Sequence, residues 1–243
     1  IAGDESSLPV NSITILYEDD NGSLWAGSVR GGVFNIKESY IRTYKDSPLG
    51  YINGLSEKSV TSFYEEPNGK LWIGTDGGGI NLYNPQSGSF KHFPSTYGDK
   101  VVSIAPVSEK ELMVSVYTKG FFIFEKHTGL YRPFLIKNDS INLRQCFYGY
   151  IPRAHRVTND KIYILSKDIW VYDINNKKFS PIKTDKNYQL PTSVMAYSDE
   201  RISLTMSGNR VFQITNKNDS IKLLFQIDKK EVITAVDYDL SLI

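Results

Sequence analysis

The chain has 243 residues, with 28 Lys and Arg against 27 Asp and Glu, a formal charge of +1. That balance excludes a nucleic-acid binder working through a broad basic face. One cysteine, Cys146, excludes an internal disulfide and a multi-cysteine zinc site. The length allows one large domain or two small ones, burying roughly 70–75% of the unfolded surface, so a core forms without staples.

Aromatics make up 13% of the chain, with 16 Tyr and 12 Phe, which leans toward strands over helices. No apolar run approaches the roughly 18 residues of a membrane span. The opening Ile1-Ala2-Gly3-Asp4-Glu5-Ser6-Ser7 lacks the charged-then-apolar order of a signal peptide, and there is no initiating Met. The sequence is expected to be a mature or excised piece.

Two stretches nearly superimpose. Ser12-Ile13-Thr14-Ile15-Leu16-Tyr17-Glu18-Asp19-Asp20-Asn21-Gly22-Ser23-Leu24-Trp25-Ala26-Gly27 is echoed by Ser59-Val60-Thr61-Ser62-Phe63-Tyr64-Glu65-Glu66-Pro67-Asn68-Gly69-Lys70-Leu71-Trp72-Ile73-Gly74. Each runs on into glycines and a short apolar strand, Gly31-Gly32-Val33-Phe34 and Gly77-Gly78-Gly79-Ile80. Fainter copies follow, as Glu111 to Phe124, Lys161 to Asp173 and Arg201 to Ile214. Aligned on positions 24, 71, 112, 162 and 202, the copies stand 47, 41, 50 and 40 residues apart. A period of about 45 residues is that of a propeller blade.

Each copy reads as four strands. Asn21-Gly22 and Asn68-Gly69 mark a tight turn between the first two, with positive φ expected at both central residues. A Gly-rich turn leads to the third strand. Asn84-Pro85-Gln86-Ser87-Gly88 and Asp173-Ile174-Asn175-Asn176 lead to a polar fourth. No segment carries a sustained helical period. The expected fold is all-β: a β-propeller of four-stranded antiparallel blades, about five blades plus one extra strand. The units run over about 11–58, 59–99, 100–146, 147–190 and 191–230, with the start of a sixth at 231–243. Either the ring closes at five, or the chain is part of a larger ring, seven-bladed by the resemblance below. We adopt the second reading. An open arc is then expected to expose apolar blade faces until further blades or a partner cover them.

The segment Val60 to Tyr83, with its Leu71-Trp72-Ile73-Gly74-Thr75-Asp76-Gly77 core, resembles the two-component regulator propeller repeat. Residues 13–36 resemble it too, as do the lead-in segments Ser7 to Ser12 and Asn53 to Ser59. The later copies lack the Trp-x-Gly-Thr core. The resemblance implies the periplasmic sensor half of a hybrid two-component system of gut Bacteroidetes. That plan has two consecutive seven-bladed propellers, a small β-sandwich, one membrane helix, and kinase, receiver and DNA-binding parts outside this chain. It implies recognition of oligosaccharides released from glycans.

Loops on a rigid scaffold are where ligand sites are usually built. The second-to-third-strand turns and the inter-blade connections share one propeller face. There Arg30, Asp76, Tyr117, Lys119 and Lys167 are expected to rim a mouth. Tyr148, Arg153 and His155, read as part of the long connection before the fourth unit, would overhang it. Tyr offers a sugar ring an apolar face and a hydroxyl. Arg suits a uronate or sulfate through paired hydrogen bonds. For any one of these residues an ordinary solvated side chain is the competing reading. Trp25, Trp72 and Trp170 sit in regular strands and are read as packing between blades, not as sugar platforms.

Enzyme signatures are weak. His92, His127 and His155 lie in different units without a metal-ligand pair, and no Gly-x-Ser-x-Gly elbow occurs. Gly77-Gly78-Gly79 does not open a helix. Asp19-Asp20 and Glu65-Glu66 are read as closing exposed strand ends. Cys146 is read as an inert thiol. The chain is therefore expected to sense rather than catalyse, without metal or cofactor, in the periplasm as part of an inner-membrane-anchored protein. Its expected partners are an oligosaccharide, the remaining blades or a second propeller of the same protein, and a second copy of itself. Nucleic acid and membrane are not expected to touch it. The alternatives are a propeller enzyme of lyase or glycosidase type, or a protein-interaction scaffold.

Overall fold

The first hairpin shows how the repeat folds. In the computed structural model, Gly22 N donates to Asp19 O at 2.8 Å and Asp19 N donates to Ser23 O at 2.9 Å. The copy at Glu66 to Lys70 repeats both bonds, Gly69 N to Glu66 O and Glu66 N to Lys70 O, each at 2.8 Å. Only the glycines take positive φ, +72° at Gly22 and +78° at Gly69; the asparagines before them do not. The turn is thus a four-residue turn whose last residue is a left-handed glycine, not the expected two-residue form with both central residues at positive φ.

The structure describes residues 12–37, 40–45, 54–94, 100–134, 153–156, 160–166, 168–182, 191–198, 201–206, 210–215 and 220–226. Among these there are strands and no helix. The strands form five four-stranded antiparallel sheets, each in sequence order. The first is β1 Ile13–Glu18, β2 Leu24–Ser28, β3 Val33–Lys37 and β4 Tyr40–Tyr44. The second is β5 Val60–Glu65, β6 Leu71–Thr75, β7 Ile80–Asn84 and β8 Ser89–Phe93. The third is β9 Val101–Pro106, β10 Glu111–Val116, β11 Gly120–Glu125 and β12 Tyr131–Pro133. The fourth is β13 Arg153–Arg156, β14 Lys161–Leu165, β15 Ile169–Asp173 and β16 Lys178–Pro181. The fifth is β17 Pro191–Ser198, β18 Arg201–Met206, β19 Arg210–Thr215 and β20 Ser220–Gln226. The chain divides into two compact units, 1–134 with three of the sheets and 135–243 with two.

In the first unit the sheets stack through their faces. Successive residues of a strand point to opposite faces, so each sheet has two apolar sides. Val60, Leu71, Ile73, Tyr83 and Phe90 of the second sheet form one core with Trp25 and Val33 of the first. Trp72, Ile80 and Phe93, on its other side, form a second core with Leu112, Val114, Phe122 and Phe124 of the third. Trp25 meets Tyr83 edge-on at 5.4 Å and Trp72 meets Phe124 edge-on at 5.4 Å, so both tryptophans pack between blades as expected. Each such buried side chain is worth about 1.5–3 kcal/mol of transfer free energy.

The inner strands are also bonded sideways. Thr14 Oγ1 donates to Val60 O at 3.1 Å, and Thr61 Oγ1 donates to Val101 O. Gly27 and Gly74 make that approach possible. A Cβ at Gly27 would lie 2.8 Å from Val60 Cγ1, and one at Gly74 would lie 2.8 Å from Val101 Cγ1.

The face of the first sheet turned away from Trp25 is unevenly covered. Ala26 pairs across strands with both Leu16 and Phe34, which places the three on one face. Ala26 and Phe34 are fully buried, while Leu16 is 60% exposed.

The second unit has its own core, including Ile162, Tyr163, Ile164, Val171 and Phe179. Trp170 stacks on Phe179 of its own sheet, with ring centroids 4.9 Å apart. Arg153 and His155 do not lie in a connection. They belong to β13, paired with Leu165 and Tyr163 of β14, because the fourth sheet uses this stretch as its first strand.

Candidate functional site

The second-to-third-strand turns of the first unit share one geometry. Val29 N donates to Ser12 O at 3.0 Å, Asp76 N to Ser59 O at 2.8 Å and Tyr117 N to Lys100 O at 2.9 Å. Val29, Asp76 and Tyr117 are therefore equivalent positions, each pinned to the residue just before its sheet's first strand. The next residue has positive φ in all three turns: Arg30 at 65°, Gly77 at 125° and Thr118 at 59°. The turns end on Gly32, Gly79 and Gly120, again with positive φ.

Between the second and third sheets these positions make a cluster. Lys100 Nζ donates to Asp76 Oδ2 at 2.6 Å, with the side chains 38% and 40% exposed. The same ammonium stands 5.0 Å from the centre of the Tyr117 ring, which is 41% exposed. An isolated β-bridge between Asp76 and Lys100 holds the two backbones. An ion pair this open to water contributes at most about 1 kcal/mol, and a cation over an exposed ring adds a similar amount. The cluster thus leaves donor, acceptor and ring surface available to a ligand. A carboxylate accepts from sugar hydroxyls, an ammonium donates to ring or glycosidic oxygens, and the phenol covers the apolar face of a pyranose.

Of the expected site residues, the structure brings Asp76 and Tyr117 together through Lys100. Lys119 lies exposed on Tyr117's own turn, and Arg30 on the equivalent turn of the first sheet. Arg153 and His155 sit in β13 of the other unit. Tyr148 and Lys167 lie outside the described residues. Sequence reasoning missed Lys100 and also Lys58, whose carbonyl accepts from Gly32 N at 2.8 Å. Aligning Ile13, Val60 and Val101 as first-strand starts puts Lys100 in the place of Ser12 and Ser59, and that signal was available.

The opposite face, made by the first-to-second-strand turns, has a different character. Asp19 Oδ1 accepts from Asn21 N and Ser23 N, and its Oδ2 accepts from Trp25 Nε1 at 2.9 Å. Glu66 accepts from Trp72 Nε1 at 2.9 Å and pairs with Lys126 at 2.7 Å, the two charged side chains only 14% and 11% exposed. These acids do not merely close exposed strand ends. They anchor the tryptophans, and Glu66 bridges to the third sheet. Burial alone would raise the Glu66 carboxyl, but the donors Lys126 and Trp72 outweigh it and hold the group below its usual value. Tyr17 donates to Glu65 across the first two sheets; burial first, and then that carboxylate, push its hydroxyl far above the usual tyrosine range. A polar cleft of about 430 Å³ opens here, lined by Asp20, Asn21, Glu65, Asn68, Pro85 and Gln86 among others. Among the described residues no group of three or more His, Cys, Asp or Glu is placed to hold a metal ion.

Comparison with known proteins follows the same repeats. Residues 7–30 and 54–77 match the family described as two component regulator propeller. No curated protein matches the chain. Among solved structures, the extracellular domain of a putative one-component system from B. thetaiotaomicron aligns with a TM-score of 0.68 at 19% identity, over 90% of this chain and 31% of that one. The extracellular domain of a putative hybrid two-component system from the same organism aligns with a TM-score of 0.67 at 18% identity, over 87% of this chain and 30% of that one. A β-propeller domain from Myceliophteria thermophila aligns with a TM-score of 0.65 at 13% identity, over 90% of this chain and 72% of that one. The chain spans under a third of the length of the two bacterial domains. With repeat, sheet order and neighbours in agreement, this chain has a β-propeller fold, and two stretches of it match the two-component regulator propeller repeat.

Proposed function

We propose that the chain is the extracytoplasmic, ligand-sensing propeller segment of a bacterial hybrid two-component regulator, and that its ligand is an oligosaccharide derived from a glycan. The observation that carries this reading is the Asp76–Lys100–Tyr117 cluster, built on the loop face where the second sheet, which bears the regulator repeat, meets the third. The extracellular domains named above support the location. The setting is the periplasm, in a protein anchored to the inner membrane. Any kinase activity belongs to other parts of the protein, and this segment catalyses nothing.

Signalling follows from mass action. A ligand that binds one arrangement of adjacent propellers or of paired copies better than another shifts the population toward it. A coupling of about 1–3 kcal/mol, or 5–150-fold in affinity, suffices for a graded response. The remaining blades or a second propeller, and a second copy of the chain, are the partners through which that bias is transmitted.

Calorimetric titration of the chain with a panel of oligosaccharides tests the reading. Saturable binding with the sugar recovered intact is the expected result. Release of shortened or unsaturated products would replace it with an enzyme. Silence toward every sugar, with a defined protein partner bound instead, would replace it with a scaffold.

A further inference from the structure

We propose that the ligand of this rim is an acidic oligosaccharide, and that Arg30 and Lys100 select its carboxylate or sulfate groups. The inference rests on the glycan-sensing reading above and deepens it.

Three observations lead there. First, the turn face of the first unit carries several cations beside its two acids, Glu57 and Asp76. Arg30, Lys58 and Lys119 are exposed, and none forms an ion pair with a described residue. Lys100 adds a fourth cation, half open to water beside Tyr117. On the opposite face, by contrast, the acids Asp19 and Glu66 are tied into tryptophan anchors. Second, Arg30 occupies a left-handed conformation at φ 65°, where the equivalent turns of the second and third sheets have Gly77 and Thr118. A side chain there costs roughly 1–2 kcal/mol of backbone strain that glycine avoids. No described contact of the guanidinium offsets that cost, so the side chain is left open to solvent and to a ligand. Third, Asp76 holds the Lys100 ammonium next to an exposed aromatic face. A sugar ring lying on Tyr117 would bring an acidic substituent within reach of that ammonium. The ligand anion would then share Lys100 with Asp76, while Arg30 on the adjacent turn supplies a paired, planar donor set.

The test is titration of the chain with a galacturonic acid trisaccharide and a sulfated disaccharide, against the neutral galactose trisaccharide. The wild type is expected to bind at least one acidic probe at least tenfold more tightly than the neutral one, with the preference shrinking as salt is raised. Arg30→Gly and Lys100→Gln are each expected to lose at least tenfold for the acidic probe, and more for it than for the neutral one. Lys110→Gln, on the opposite face, is the control for overall charge and should change neither. Arg30→Gly carries a second readout, because relief of the turn should raise the unfolding midpoint by about 2 °C while affinity falls. A neutral sugar bound as tightly as the acidic ones, or both variants binding the acidic probe like wild type, would overturn the proposal and leave glycan sensing standing. If no probe in this set or in the wider panel binds, the proposal and the reading beneath it fall together.

Discussion

Gly74→Ala is the sharpest test of how the blades meet. An added Cβ would lie 2.3 Å from Ser62 Oγ and 2.8 Å from Val101 Cγ1. The Ser62 hydroxyl has no hydrogen-bond partner and can turn away. Val101 cannot, since it is fully buried in the core shared by the second and third sheets. Ordinary carbon contacts begin near 3.4 Å, so the third sheet must retreat by several tenths of an ångström or distort. Overpacking of this kind costs about 1–3 kcal/mol. Replacing glycine by alanine recovers about 0.4–1 kcal/mol by restricting the unfolded chain. The net expectation is a loss of about 1–2 kcal/mol, or about 4 °C in the unfolding midpoint of a chain this size. Urea unfolding of the 243-residue chain measures it, and a double-mutant cycle assigns it. Val101→Ala alone should be destabilising through its cavity. Combined with Gly74→Ala, the two losses should fall short of additivity by at least about 1 kcal/mol, because each mutation accommodates the other. Additive losses, or an alanine variant as stable as wild type, would refute the close approach of the two sheets.

Other consequences are open to measurement. Lys126→Met removes the charged partner of Glu66 and should cost about 2 kcal/mol, the usual range for a hydrogen bond to a charged group, while Trp72 Nε1 still bonds the carboxylate. Because the folded-state pKa of Glu66 lies below its usual 4.5, its contribution is complete above that value and is lost as pH falls through the lower folded one. Stability measured from pH 6 to pH 3 should therefore fall less steeply in Glu66→Gln than in wild type. Tyr17 behaves in the opposite sense. Its raised folded pKa gives stability that is full below about pH 10 and declines in stronger alkali, a decline that Tyr17→Phe should reduce. Thr118, β-branched at φ 59°, should yield a chain more stable by about 0.5–1 kcal/mol when replaced by glycine, as read by thermal unfolding. Tyr117→Ala should weaken oligosaccharide binding by at least tenfold without moving the unfolding midpoint, since the ring is substantially exposed.

Strand order was legible because the repeat carries its own punctuation. Asn-Gly, the Gly-rich turn and the Asn84 turn each recur at the same place, and the hydrophobic alternation between them determines which face meets which neighbour. The role of Trp25 and Trp72 followed from their mid-strand position. Their anchors were harder to see. Asp19 and Glu66 read as solvated acids, because a carboxylate six residues before a tryptophan becomes its partner only once the hairpin has closed. The candidate cluster was legible in part for a similar reason. Asp76 and Tyr117 stand out as polar and aromatic residues in equivalent turns. Lys100, which joins them, belongs to the lead-in of the next sheet, and its contact with Asp76 is made across 24 residues by tertiary packing. Arg153 and His155 were misplaced because the first strand of the fourth sheet lacks the alternation and the Val-Thr start seen at Val60-Thr61.

A crystal structure of the chain soaked with a saturating acidic trisaccharide tests the central claim most directly. The account predicts a sugar ring against Tyr117, with an acidic group within hydrogen-bond distance of Lys100 or Arg30. A sugar held instead in the opposite cleft, between Asn21, Asn68 and Gln86, would contradict it.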